Sequence, residues 1–421
     1  MQIISSNQFY AGGLNGMLQQ QSLISTLSQE LTTGNALVNP SSQPVAVAQN
    51  VSITAQIGQL AGFTQNGSNA QQSLQLESST LQSVGTLVDQ VRQLALQMNN
   101  GTVSAQQLQN AGAQMQGYLQ QLVQYGNTQD GQGNYLFAGS RNQTQPFVLQ
   151  ANGQVLYQGD GGQNQLALGA SLSTAIGDPG NAIFMNIPGG NGSFSVAASG
   201  SNTGGASLGP GTVNNPGLAQ QVLLVNGTEY QVSFSTPASG GGLDYTITSG
   251  VGASFSSSGV AASGTFSSGM SIGLPPGASP AIEVPVVGNP AAGDSFTIAG
   301  SQPQSLFATF QSLQQAFTAT PAGSGSAARR AQAISNALAS LDQGQTVLLG
   351  TQSAIGSRLQ QVQAVQTQNS SVTLQLQTQQ ASISSINYPQ VITQYQQSLT
   401  ALQAAEAAFS QVQGLSLFKY L

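Results

Sequence analysis

The chain has 421 residues, of which only 4% are charged, against roughly 25% in an ordinary globular protein. Six basic and twelve acidic residues give a net charge of −6; with Lys419 the only lysine and no basic stripe, phosphate backbones find no electrostatic partner and nucleic acid is not an expected ligand. Cys and His are absent, which removes disulfides, Cys or His metal sites and every His-based catalytic triad.

At the start, MQIISSNQFYAGGLNGM has neither a basic n-region nor a long apolar stretch, so it does not read as a cleaved Sec signal. Leu14, Met17, Ile24, Leu27 and Leu31 then recur at helical spacing. A longer seam follows through Leu74, Glu77, Leu81, Val84, Val88, Val91, Ala95 and Met98, widened by Leu87 and Leu94. It stops at the turn signal NNGT. A third helix carries Leu108, Ala111, Met115, Tyr118, Leu119, Leu122 and Tyr125 on one face and ends near Gly126.

From about 140 to 305 the material changes. Gly, Ser, Thr and Asn dominate, and β-favouring runs are short. VLLVNGTEYQVSFS sets Asn226-Gly227 between two such runs, which predicts a hairpin. YTITSG and DSFTIAG predict further strands, and ASGSNTGGASLGPG a loop.

The most regular stretch comes next. Every seventh residue reads Ile334, Leu341, Leu348, Ile355, Val362, Asn369, Leu376 and Ile383, beside a weaker column of Leu338, Gln345, Gln352, Leu359, Gln366, Thr373 and Gln380. A strict seven-residue repeat predicts a long coiled-coil helix, roughly 80–90 Å at 1.5 Å per residue. Asn369 either fixes its register or is a plain break in the seam. Pro389 separates this helix from a last one with Ile392, Tyr395, Leu399, Leu402, Ala405, Phe409 and Val412 on one face. Past Gly414, Leu415, Leu417 and Phe418 extend the apolar surface to a chain end that is usually polar.

The expected fold is therefore mainly α with an inserted β domain: a long antiparallel coiled-coil bundle formed by the N- and C-terminal arms. Residues 1–42 and 388–421 are read as terminal helical segments, 43–140 and 305–387 as the bundle, and 141–304 as a β-rich outer domain. The terminal segments are too slender to bury their own stripes and need partner helices. No run of roughly 18 apolar residues predicts a membrane span.

Chemistry is nearly absent, and no enzyme, cofactor or metal site is expected. A GxxxxGK[ST] loop is impossible with Lys419 alone, and no GxSxG elbow occurs. Asp130, Asp160, Asp178, Glu229, Asp244, Glu283 and Asp294 could in principle supply a glycosidase pair, but scattered acids are ordinarily solvated. NGS at Asn66 and NGT at Asn226 sit where turns are expected. So few titrating groups imply indifference to pH and salt, which suits a harsh, acidic medium; compositional drift in one lineage explains it equally well.

Particular strings carry a resemblance. TTGNALVNPSSQPVAVAQ, GNTQDGQGNYLFAGSRNQTQPF, GDPGNAIFMNI, PAAGDSFTIAGSQPQSLFATFQSL and SINYPQVITQYQQSLTALQAAEAAFSQVQGLSLFKYL resemble, in that order, segments of the bacterial flagellar hook-associated protein 3 family, relatives of flagellin. The similarity covers both arms and the borders of the insert and is weakest between about 190 and 285. Ser42 and Gln43 stand where the family often has two Asp, and Ile386, Asn387 and Tyr388 where it has an acidic pair.

The resemblance implies a flagellin-like fold and a non-enzymatic subunit joining the hook to the flagellin filament. Its implied partners are copies of itself in a ring, another hook-associated protein on the hook side, flagellin on the filament side and an export chaperone. The implied location is the extracellular flagellum, reached by type III export without a cleaved signal. The terminal segments, largely unfolded in the free subunit, would pair as helices lining an inner tube. That role falls to Leu14, Met17, Ile24, Leu27, Leu31, Leu399, Leu402, Phe409, Val412, Leu415, Leu417 and Phe418. Flagellin itself is the alternative, and a secreted carbohydrate-binding adhesin or hydrolase a more distant one.

Overall fold

The computed structural model describes residues 6–41, 43–100, 102–237, 241–251, 254–319 and 325–414. Its helices are α1 (Ser6–Thr33), α2 (Pro44–Met98), α3 (Ala105–Gly126), the short α4 (Pro216–Ala219), α5 (Leu306–Thr318), α6 (Ser326–Ser384) and α7 (Tyr388–Gly414). Short strands occupy the stretch from Phe147 to Gln304. The architecture is thus mainly α, with long helices from both ends of the chain and an antiparallel β insert between them. Contacts divide it into two units: Met1–Gly67, Leu168–Ala170 and Gln363–Leu421, and Ser68–Ala167 with Ser171–Val362. These divisions fall inside α2 and α6.

In the first unit, α1 ends where Gly34 turns into the left-handed region at φ +69, its N–H donating to the Glu30 carbonyl at 2.8 Å. That conformation suits Gly because it has no Cβ to clash. Pro44 opens α2, its missing N–H costing nothing in a first turn. The Ala36 N–H donates to Ser384 O at 2.7 Å, tying the link after α1 to the end of α6.

Two antiparallel helix pairs result. Gln20 Nε2 donates to Ser398 O at 3.2 Å and Tyr10 meets Phe409, so α1 runs against α7. Gln380 Nε2 reaches Asn50 Oδ1 at 2.8 Å and Thr54 Oγ1 at 2.9 Å, joining the first turns of α2 to the end of α6. Asn66-Gly67-Ser68 is not a turn but lies inside α2. A glycine there costs about 1 kcal/mol against Ala, but a Cβ on Gly67 would sit only 2.9 Å from Gln366.

The second unit holds the apolar seams. Leu74, Leu81, Val84, Val88, Val91 and Ala95 of α2 are buried, as are Ile334, Leu341, Leu348, Ile355 and Val362 of α6. Leu376 and Ile383, in the same heptad column but in the first unit, are only half-buried. Asn369, between Val362 and Leu376 in that column, is buried, and its Nδ2 donates to Leu168 O at 3.1 Å. Its side chain thereby ties the Leu168–Ala170 segment to α6.

Helix α3 begins with a reciprocal capping box: Ser104 Oγ accepts from Gln107 N and Gln107 Oε1 accepts from Ser104 N. Its buried face meets α5, which the sequence reading did not separate from the bundle. Ser305 caps α5 by accepting from Ala308 N at 2.9 Å, and Phe307, Phe310, Leu313 and Phe317 are buried. Phe147 packs on Phe307 and Phe184 with centroids 4.9 and 5.4 Å apart.

The β insert closes a core of its own. A five-stranded antiparallel sheet runs in the order Ser254–Thr265, Asp244–Val251, Thr228–Ser235, Ser295–Gly300, Phe194–Ala198. It packs with strands Ser271–Leu274 and Ile282–Val287 around Phe194, Val232, Phe234, Leu274, Val284 and Phe296. The expected hairpin at Asn226-Gly227 is absent. Asn215 caps α4 with Pro216 at its start, and helical backbone continues as a π-turn through Gln220–Val225, burying Leu223. Asn226-Gly227 turns that helix into the strand Thr228–Ser235 instead.

Candidate functional site

The residues expected to mediate assembly fall into two sets. Leu27 is buried, and Met17, Ile24, Leu31, Leu399, Leu402 and Phe409 are half-buried. At 100° per residue, Met17, Ile24, Leu27 and Leu31 share the stripe of Gln20, the residue that reaches α7. Leu14 does not join them: it is 52% exposed, as is Leu18 at 54%. Leu23 on α1 and Tyr388 and Ile392 on α7 are exposed as well. Val412 lies in α7, while Leu415, Leu417 and Phe418 lie outside the described residues.

The α1–α7 pair therefore satisfies one stripe of each helix and leaves apolar side chains facing outward. Burying a Leu is worth about 1.5–3 kcal/mol relative to leaving it in water. Ala401, Ala404, Ala407 and Ala408 give α7 an exposed face of small side chains. Such an apolar surface gains most by being covered.

Asp130, Asp160, Asp178 and Asp294, singled out from the sequence, are held in separate hydrogen-bonding arrangements. Asp178 and Asp294 are buried, contrary to the expectation of solvated surface groups. Asp294 accepts from Thr203 N and Ala291 N, both at 2.8 Å, and so closes two turns. Asp160 accepts from Ser140, through hydroxyl and amide, and from Gly162 N. Those bonds hold its carboxyl below the usual range. Asp130 accepts from Gln132 N and Asn134 N within its own loop. Among the described residues no group of His, Cys, Asp or Glu could hold a metal, and no helix is long and apolar enough to cross a membrane.

One ionic cluster has two buried carboxyls, Glu77 and Asp178, and a half-buried guanidinium, Arg358. Arg358 on α6 donates from Nη1 and Nη2 to Asp178 Oδ2 and Oδ1 at 2.9 and 2.8 Å, and Gln163 Nε2 adds a bond of 2.7 Å. The Asp178 N–H donates in turn to Glu77 Oε1 on α2 at 2.9 Å. Glu77 is fully buried, and its Oε2 has no hydrogen-bond partner among the described residues. Burial, and then the negative charge of Asp178, push the Glu77 carboxyl up to about 8, against the weaker pull of the Asp178 amide and Arg358. The available signals were a Glu in an apolar column and one of only six basic residues inside the heptad helix.

Helix α6 also holds the β insert through side chains bonded to main chain. Arg329 donates to Asn202 O, Gln332 Oε1 accepts from Leu208 N at 2.6 Å, Asn336 Nδ2 donates to Val196 O at 2.6 Å, and Gln343 Nε2 donates to Asn191 O at 3.1 Å. Lying off both heptad columns, Gln343 would be expected to matter to nothing. It faces the insert instead.

Comparison with known proteins agrees with this architecture. Residues 4–142 match the bacterial flagellin N-terminal helical region. Flagellar hook-associated protein 3 of Escherichia coli K12 is 30% identical over 183 residues, covering 44% of this chain and 57% of the relative. The chain thus spans little more than half the length of the curated relatives it matches. The crystal structure of flagellar hook-associated protein 3 from Legionella pneumophila superposes with a TM-score of 0.70 at 29% identity, covering 78% of this chain and 96% of that one. FlgL from Xanthomonas campestris does so with a TM-score of 0.67 at 25% identity, covering 77% and 98%. The resemblance read from the sequence, and the flagellin-like fold it implied, are borne out.

Proposed function

We propose that the chain is a structural, non-enzymatic subunit of the bacterial flagellum that joins the hook to the flagellin filament and polymerises through its terminal helices. The observation that carries this reading is the α1–α7 pair. Each helix satisfies one stripe within the chain yet exposes Leu14, Leu18, Leu23 and Ile392. Such a surface gains its missing burial from neighbouring subunits, and a polymer supplies many at once.

The proposed neighbours are further copies in a ring, another hook-associated protein on the hook side and flagellin on the filament side. An export chaperone and passage through the flagellum's own type III channel belong to the same reading. A chain without Cys suits unfolded transit, because no disulfide can form on the way. Residues 415–421 are proposed to extend the assembly surface.

Immunogold labelling of intact cells tests it. A single ring at the distal end of the hook is expected. Labelling along the whole filament would make the chain a flagellin, and no flagellar labelling would overturn the reading altogether.

A further inference from the structure

We propose that Glu77 is a proton lock: the chain folds with this carboxyl uncharged, so acid tightens the fold and alkali loosens it. The geometry requires it. The cluster brings together two carboxylates and one guanidinium, from α2, the segment before Pro179, and α6. Both Arg358 N–H contacts go to Asp178, leaving Glu77 without a counter-ion of its own. Its one hydrogen bond comes from the neutral Asp178 amide, and Oε2 meets no donor among the described residues. The charged groups acting on Glu77 are Asp178, which repels its anion, and Arg358, whose charge Asp178 already neutralises. An unpaired buried carboxylate takes up a proton in preference to keeping its charge.

The direction follows from linkage. An unfolded Glu titrates near 4.5 and Glu77 in the folded chain near 8. Between those values the folded chain binds about one more proton than the unfolded chain. The contribution of Glu77 to stability is greatest below about 4.5, falls as pH rises through the window, and is lost above about 8.

The test compares urea unfolding of the full chain with that of Glu77→Gln from pH 5 to pH 8. The wild-type unfolding constant is expected to rise about tenfold per pH unit relative to the variant. Parallel pH dependence in the two chains would overturn the proposal. Infrared spectroscopy of the folded wild type at pH 7 gives a readout that survives a variant that does not fold. A protonated-carboxyl band that vanishes on unfolding is expected, and its absence would also overturn the lock.

Discussion

Tyr10 on α1 and Phe409 on α7 meet edge to face, their ring centroids 5.7 Å apart and their planes at 85°. Gly13 lies under the same ring, where a Cβ would come within 3.3 Å of Phe409. These contacts close the two ends of the chain on each other. Such aromatic pairs add about 0.5–1.5 kcal/mol beyond their burial.

Phe409→Ala should therefore open the terminal pair without melting the rest. Amide exchange in α1 and α7 is expected to quicken, while exchange around Leu348 stays unchanged. Equal acceleration everywhere would show that the pair is not an independent element.

Leu14→Ala makes the complementary case. Being 52% exposed, Leu14 should change monomer stability by no more than about 0.5 kcal/mol. Cells carrying the substitution are expected to attach filaments poorly and release flagellin into the medium. Normal swimming would remove Leu14 from the assembly surface.

On α6, Leu348→Ala should cost about 2–5 kcal/mol, since the side chain is buried in the seam. Gln343→Ala should cost less, about 0.5–1.5 kcal/mol, by freeing the Asn191 carbonyl. Denaturant midpoints of the two variants check the order. Proteolysis near residue 191 should rise in Gln343→Ala alone.

Arg358→Met should cost about 3–5 kcal/mol, because it strands Asp178 in a buried site without its bidentate partner. Combining it with Asp178→Asn should recover much of that loss, and urea midpoints of the single and double variants measure the coupling. If the double variant is no better than the single, the pair is not coupled in the folded state.

Much of the fold was legible because burial in long helices repeats on a fixed period. Ile334 through Val362 recur every seventh residue and form a buried row, and Leu74 through Ala95 do the same on α2. The punctuation was equally local. Pro389, which marks the break after the heptad helix, stands at the second residue of α7. The flagellin-like resemblance rested on those same arms.

What the sequence could not determine depends on partners that the chain brings from far away. Asn226-Gly227 has a hairpin's local chemistry, yet Leu223 finds a core only if the preceding run is helical. Asn369 looks like a polar interruption of its column, and Gln343 like a plain surface residue, until Leu168 O and Asn191 O arrive opposite them. Glu77 occupies an apolar column like any seam residue, and its charge state is set first by burial and then by Asp178, 101 positions along the chain. Periodicity reports which face a residue occupies, because that follows from backbone geometry alone. Which polar group meets it there, and so whether it is buried charged, neutral or bonded, is set by tertiary packing. In this chain that difference separates an expected indifference to pH from a fold that holds a proton at Glu77.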